Sequence, residues 1–215
     1  QMTVSDGALR EGLLYDLIGR IRRDDERERT VKAMAKRYDA DHAQSARVMT
    51  MLNQLFSQTA ADFSLEETHL DQLHWAAQLH EIGLSISHSQ YHKHSHYLVA
   101  NSHLPGFSRE EQQSLATLVL GQRKRFPTKQ IGKLPKRIQQ SVTYMMLLLR
   151  LAMVFNRGRS EVGETPVSLT VDAQKITLLL PKDWLGTHPL TESDLLQEND
   201  YLHAIDMRLA IREQA

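Results

Sequence analysis

The chain has no cysteine in 215 residues. This excludes disulfides and thiolate metal ligands and fits a reducing, cytoplasmic setting. No basic-then-apolar segment opens it, so nothing argues for export. Long apolar runs are also missing. The most apolar stretch, YMMLLLRLAMVF, is broken by Arg150 and falls short of the ~20 residues that span a bilayer, so no membrane partner is expected. Aromatic residues make up only 6%, and no internal repeat or low-complexity segment is present. Most telling is the distribution of acids: none occurs from Gln112 to Ser160, although the whole chain carries 26 acidic and 26 basic residues.

In that acid-free window stand Arg123, Lys124, Arg125, Lys129, Lys133, Lys136, Arg137, Arg150, Arg157 and Arg159. The last 55 residues carry ten acids against four Lys or Arg. Solubility is served by mixed signs, so a block this one-sided points to a polyanionic partner. The competing reading is a basic surface that meets the acidic tail or a second subunit. Phe126 is the only aromatic residue from Gly121 to Arg137, so stacking platforms for bases are sparse and a nucleic-acid partner is disfavoured.

A second concentration is histidine. His80, His88, His92, His94 and His96 fall within seventeen positions, with Glu81 directly after the first. Imidazole and carboxylate are the donors that borderline divalent ions prefer. The bland alternative is a set of histidines on solvated loops.

Periodicity predicts a mainly α fold with a small α+β C-terminal part. Helices are expected over residues 26–37, over 41–61 opening at Asp39 or Asp41, and from Leu70 to Ile82 with Gly83 as the stop. A short helix should cover His94 to Asn101. Ser108 with Glu111 makes a capping-box pattern for a helix from Arg109 to about Gly121, and another should begin near Pro135 and run through Phe155. PVSLTVDAQKITLLL, residues 166–180, then alternates as a hairpin around Asp172 to Lys175. A helix from about Thr191 to Leu202 and a final strand over Ile205 to Ile211 complete the reading. A boundary between a helical domain (25–160) and a small C-terminal domain (161–215) is placed at RGRSEVGET, residues 157–165.

Five segments, in order, carry a family resemblance: GALREGLLYDLIGR (7–20), QLHEIGLSISHS (78–89), HKHSHYLVANSHLPGFS (92–108), LLLRLAMVFNRGR (147–159) and LLPKDWLGTHPL (179–190). Together they resemble the C-terminal half of the bacterial exopolyphosphatase and guanosine pentaphosphate phosphohydrolase family. HSQYHKHSHYLV looks more like the exopolyphosphatase branch, whereas TLLLPKDWLGTHPL also fits the other. The resemblance implies a four-domain, dimeric parent enzyme. Its two actin-like N-terminal domains would hold Mg²⁺ and the catalytic carboxylates, and residues 1–24 would be the end of the second. No catalytic position is inherited here, and the chain alone is expected not to hydrolyse polyphosphate.

The middle region resembles the helical fold of the HD metal-dependent phosphohydrolases. His80 and Glu81 align with the His-Asp pair, but Gln44 and Met153 stand at the other two ligand positions, with His42 two places from the first. His80 and Glu81 are therefore expected as relics of a metal site, unless His42, His88 or His92 replace the lost ligands. The partner implied is inorganic polyphosphate or, alternatively, pppGpp. Its expected contacts are Arg123, Lys124, Arg125, Lys129, Lys133, Lys136, Arg137, His92, Lys93 and His94. An autonomous HD-type phosphohydrolase is the third reading.

Overall fold

The computed structural model describes residues 26–159 and 166–214. The GALREGLLYDLIGR segment and most of the expected boundary, residues 160–165, lie outside the described residues. Among the described residues seven α-helices come first: α1 through residues 26–37, α2 (His42–Thr59), α3 (Glu67–Leu79), α4 (Tyr91–Asn101), α5 (Arg109–Gly121), the single turn α6 (Thr128–Ile131) and α7 (Lys136–Phe155). A sheet lobe follows, with β1 (Ser168–Asp172), β2 (Lys175–Leu180), the short α8 (Trp184–Thr187), α9 (Pro189–Leu202) and β3 (Arg208–Glu213).

Local chemistry fixes the helix ends. Asp41 caps α2 by accepting from the Gln44 amide at 2.8 Å. At α5 the capping box forms as the sequence indicates, Ser108 Oγ accepting from the Glu111 amide while Glu111 Oε2 accepts from the Ser108 amide at 2.7 Å. Pro135 stands one residue ahead of the helical turn expected of it, at the cap of α7.

The 20-residue α7 is long and apolar enough, by length and composition, to cross a membrane. The sequence reading excluded this by counting only the twelve residues around Arg150. In the fold α7 is the central helix, with Val142, Met146, Leu149 and Ala152 fully buried among α2, α3 and α5.

Three expectations shift. The histidine-rich helix starts at Tyr91, not His94, because Gln90 turns the chain in the left-handed region (φ 55°) and Ser95 is buried on the inner face. Helix α3 ends at Leu79, and a 3₁₀ turn at Ile82–Ser85 follows. Gly83 is thus no helix stop, and its role is a close approach to α4. The last strand begins at Arg208 because Ile205 closes a 3₁₀ turn and Asp206 is left-handed (φ 57°).

The hairpin pairs antiparallel with Ser168 opposite Leu179, and β3 runs parallel to β2 with Ile176 opposite Leu209. A parallel pair needs a crossover, which α8 and α9 supply. Leu169, Ile176, Leu178, Leu195 and Leu202 join the same apolar core as the helices. Gln54 and Gln58 of α2 both donate to the Val167 carbonyl, and Gln58 Oε1 accepts from the Leu169 amide at 2.6 Å. The sheet lobe is therefore seated on α2 by hydrogen bonds from glutamine side chains to its backbone as well as by apolar packing.

Candidate functional site

Two recesses share Arg123. The first collects the four positions expected of a metal centre: Gln44, His80, Glu81 and Met153 line one pocket with His88, Gln122, Arg157 and Arg159. His80 and Glu81 follow α3 directly and are only 1% and 8% exposed. Ser95 of α4 pins this corner, its Oγ donating to the His80 carbonyl at 2.9 Å and accepting from the Gly83 amide at 2.8 Å.

His80 Nδ1 lies 2.5 Å from the Ala77 carbonyl. A carbonyl only accepts, so Nδ1 carries the hydrogen and Nε2 is a bare acceptor in the neutral ring. Burial, opposed by the Glu81 charge, holds His80 below the usual histidine range and keeps that ring neutral.

These residues do not fit a divalent metal. The Gln44 amide is spent on the Asn156 carbonyl (2.8 Å) and on accepting from Arg47, and Met153 brings a thioether where a hard ion wants oxygen. His42 is exposed and lines neither recess, and His92 lines the other one. Among the described residues no three His, Asp or Glu are grouped to hold an ion. The guanidinium of Arg159 stands beside Glu81 instead, at 2.6 Å from Oε1.

The second recess is broad and basic. Gln90 just ahead of α4 and His92 and Lys93 in its first turn line it together with Arg123, Lys124, Arg125 and Phe126 on the loop after α5 and Asp200 and Tyr201 of α9. Five of the ten residues expected to contact a polyanion thus share one surface. Of the others, Lys129, Lys133, Lys136 and Arg137 are exposed but line neither recess. Arg137 pairs with Glu110 at 2.8 Å, and His94 lies against Gly83. His96 faces the Ala116 carbonyl at 2.8 Å. The histidine run therefore disperses around a helix and forms no cluster.

Part of the acid-free block does meet the acidic tail. Arg157 pairs with Asp194 of α9, and Arg150 is buried in a two-point pair with Glu198, at 2.7 Å from Nε and 3.0 Å from Nη2. Arg150 also donates from Nη1 to the Gly121 carbonyl and from Nη2 to the Lys124 carbonyl, both at 2.6 Å. Its guanidinium centre lies 4.7 Å from the Phe126 ring centroid and 5.2 Å from that of Tyr201. It thereby shapes the loop that presents Arg123, Lys124 and Arg125. In the sequence Arg150 is one of ten basic residues in the acid-free block and no site is assigned to it, although an arginine inside an apolar helix is itself the signal of a buried partner.

His92 is 6% exposed, with Nδ1 buried and unpartnered. Burial, reinforced by the charges of Arg123, Lys93 and Lys124, depresses its pKa to about 4. Between pH 6.5 and about 4 the unfolded chain takes up this proton and the folded chain does not. Stability is therefore expected to fall as pH drops through that window, with His80 adding in the same direction. Thermal midpoints at pH 7 and pH 5 should differ less in His92→Gln than in the parent chain. Equal differences would show that His92 does not titrate in this way.

The chain shows clear similarity to known proteins. Residues 27–199 match the family described as Ppx/GppA phosphatase, domain III. The chain is 35% identical over 198 residues to the guanosine-5'-triphosphate,3'-diphosphate pyrophosphatase of Vibrio cholerae, covering 90% of this chain and 39% of that protein. Proteins of the same name from Pseudoalteromonas translucida (33% over 214 residues; 98% and 42% covered) and Vibrio atlanticus (36% over 203 residues; 93% and 40%) are similar to the same extent. The chain spans about two fifths of the length of these relatives. The family match runs from α1 into α9 and takes in the whole of the first recess and all of the second but Asp200, Tyr201 and Ala204, and on that ground the chain belongs to the Ppx/GppA phosphatase family.

Proposed function

We propose that this chain is the accessory part of a phosphoanhydride hydrolase, and that its basic recess binds and guides inorganic polyphosphate toward catalytic lobes outside these residues. The observation that carries this reading is the grouping of Lys93, Arg123, Lys124 and Arg125 around one open surface beside the unpartnered Nδ1 of His92. Polyphosphate is a flexible chain of charge, which rewards a wide basic track more than a closed pocket. Mg²⁺, in this reading, belongs to the catalytic lobes, and a cytoplasmic homodimer is the expected assembly.

A second reading rests on the relatives' name, which specifies a guanosine pentaphosphate as substrate. On that reading the same recess meets the phosphates of pppGpp.

Fluorescence anisotropy with labelled polyphosphate tests the first reading. Reversing Arg123 and Arg125 to Glu should weaken binding at least tenfold. It should also flatten the salt dependence by about 1.4 in the log–log slope, at ~0.7 per lost phosphate contact on a flexible single strand. Affinity and slope unchanged in a folded double variant would remove the guiding role. Displacement of the label by pppGpp at far lower phosphate concentration than by unlabelled polyphosphate would favour the second reading.

A further inference from the structure

Asp41, Glu81 and Arg159 come from three separate points of the chain and meet at one edge of the first recess. Arg159 follows the end of α7 with a left-handed backbone (φ 52°), its amide donating to the Asn156 carbonyl at 3.2 Å. Its Nη1 lies 2.7 Å from Asp41 Oδ2, at the cap of α2, and its Nη2 lies 2.6 Å from Glu81 Oε1, just after α3. Gln44 runs parallel to this link, donating to the Asn156 carbonyl.

The geometry points to Arg159 as a built-in replacement for the divalent cation of an HD centre: its guanidinium bridges Asp41 and Glu81, so the pocket is an internal cross-link and not a metal site. Three features support this. The first is reach, since a planar guanidinium holds two carboxylates with separate nitrogens, whereas one ion needs every donor within about 2.2 Å of a single point. Charge is the second: Arg123 and Arg157 line the same pocket, and three cations around Glu81 repel a further cation. Burial is the third. The Glu81 side chain is 9% exposed, so its charge needs a fixed partner, while the more exposed Asp41 arm adds less.

Three further polar atoms at this pocket remain without partners. His80 Nε2, Glu81 Oε2 and Gln122 Oε1 are all acceptors, all buried, and all on residues that line this pocket. Removing Arg159 would leave a hollow beside Glu81 that an added guanidinium can refill. This inference concerns the first recess and stands apart from the identity of the polyanion.

Thermal midpoints of the purified 215-residue chain test it. Arg159→Ala should melt roughly 5 °C lower than the parent. Low-millimolar methylguanidinium should restore part of the loss, and it should not move the parent. Arg159→Lys, which keeps a charge but cannot span both carboxylates, should fall between. Adding Glu81→Gln to Arg159→Ala should abolish the restoration. The proposal is overturned if the parent purifies with about one metal ion that is lost in His80→Ala. It also fails if Arg159→Ala melts with the parent, or if lysine and methylguanidinium recover nothing, because the side chain would then act by packing alone.

Discussion

Arg150→Ala is expected to destabilise the chain by about 3–5 kcal/mol, the cost of leaving a buried charge without its partner. At roughly 2–4 °C per kcal/mol for a chain of this size, the thermal midpoint should drop by about 10 °C. The side chain is 1% exposed and serves several acceptors at once: both oxygens of Glu198, the Gly121 carbonyl and the Lys124 carbonyl. Burial pulls Arg150 below the usual arginine range and pushes Glu198 above the usual carboxylate range, and the charge of each opposes the shift of the other. Replacing both by methionine removes the charge problem, and such exchanges are often neutral. Here the two carbonyls would still lose their donor, at about 1–3 kcal/mol each, so the double variant should remain less stable than the parent. Arg150→Lys should recover little, because one ammonium cannot reach acceptors on three sides. Chemical denaturation of the parent and the three variants checks the order. A double variant as stable as the parent would show that the carbonyl contacts contribute nothing.

Gly83→Ala should be nearly as damaging, at about 3 kcal/mol or more, the upper part of the range for overpacking. A Cβ at Gly83 would meet the Tyr91 carbonyl and the Ser95 amide, which are backbone atoms of α4, and would come within 2.8 Å of His94 Cβ. Backbone cannot swing aside as a side-chain tip does, so α4 would have to move away from the 3₁₀ turn at Ile82–Ser85. That displacement would also break the Ser95 contacts to Gly83 and the His80 carbonyl. Because α4 brings His92 and Lys93 to the basic recess, the polyanion binding proposed for that recess should weaken along with stability. By contrast, Gly186→Ala should be silent, since nothing lies within 4 Å of the added carbon. Denaturation and anisotropy measured on both variants test the pair; a stable Gly83→Ala chain would mean that α4 has room to shift.

Signals that depend on neighbours along the chain were legible from the sequence. Asp41 before an apolar repeat, Ser108 with Glu111, and the alternation on either side of Asp172 to Lys175 each specify hydrogen bonds or faces within a few residues, and each appears where expected. The expected metal positions also converge as the family resemblance implied, Gln44, His80, Glu81 and Met153 meeting in one pocket. What occupies that pocket was decided by tertiary structure alone. Arg159 is 78 residues from Glu81 and 118 from Asp41 in the chain, and no local pattern marks such a pairing. The same holds for the acid-free block. Its composition reads as one basic block, yet folding buries Arg150 against Glu198, pairs Arg157 with Asp194, and leaves Arg123, Lys124 and Arg125 on the open recess. The sequence determines how many charges a segment carries. Only packing determines which are neutralised inside, because desolvation forces a buried charge onto whatever opposite charge the fold brings within reach.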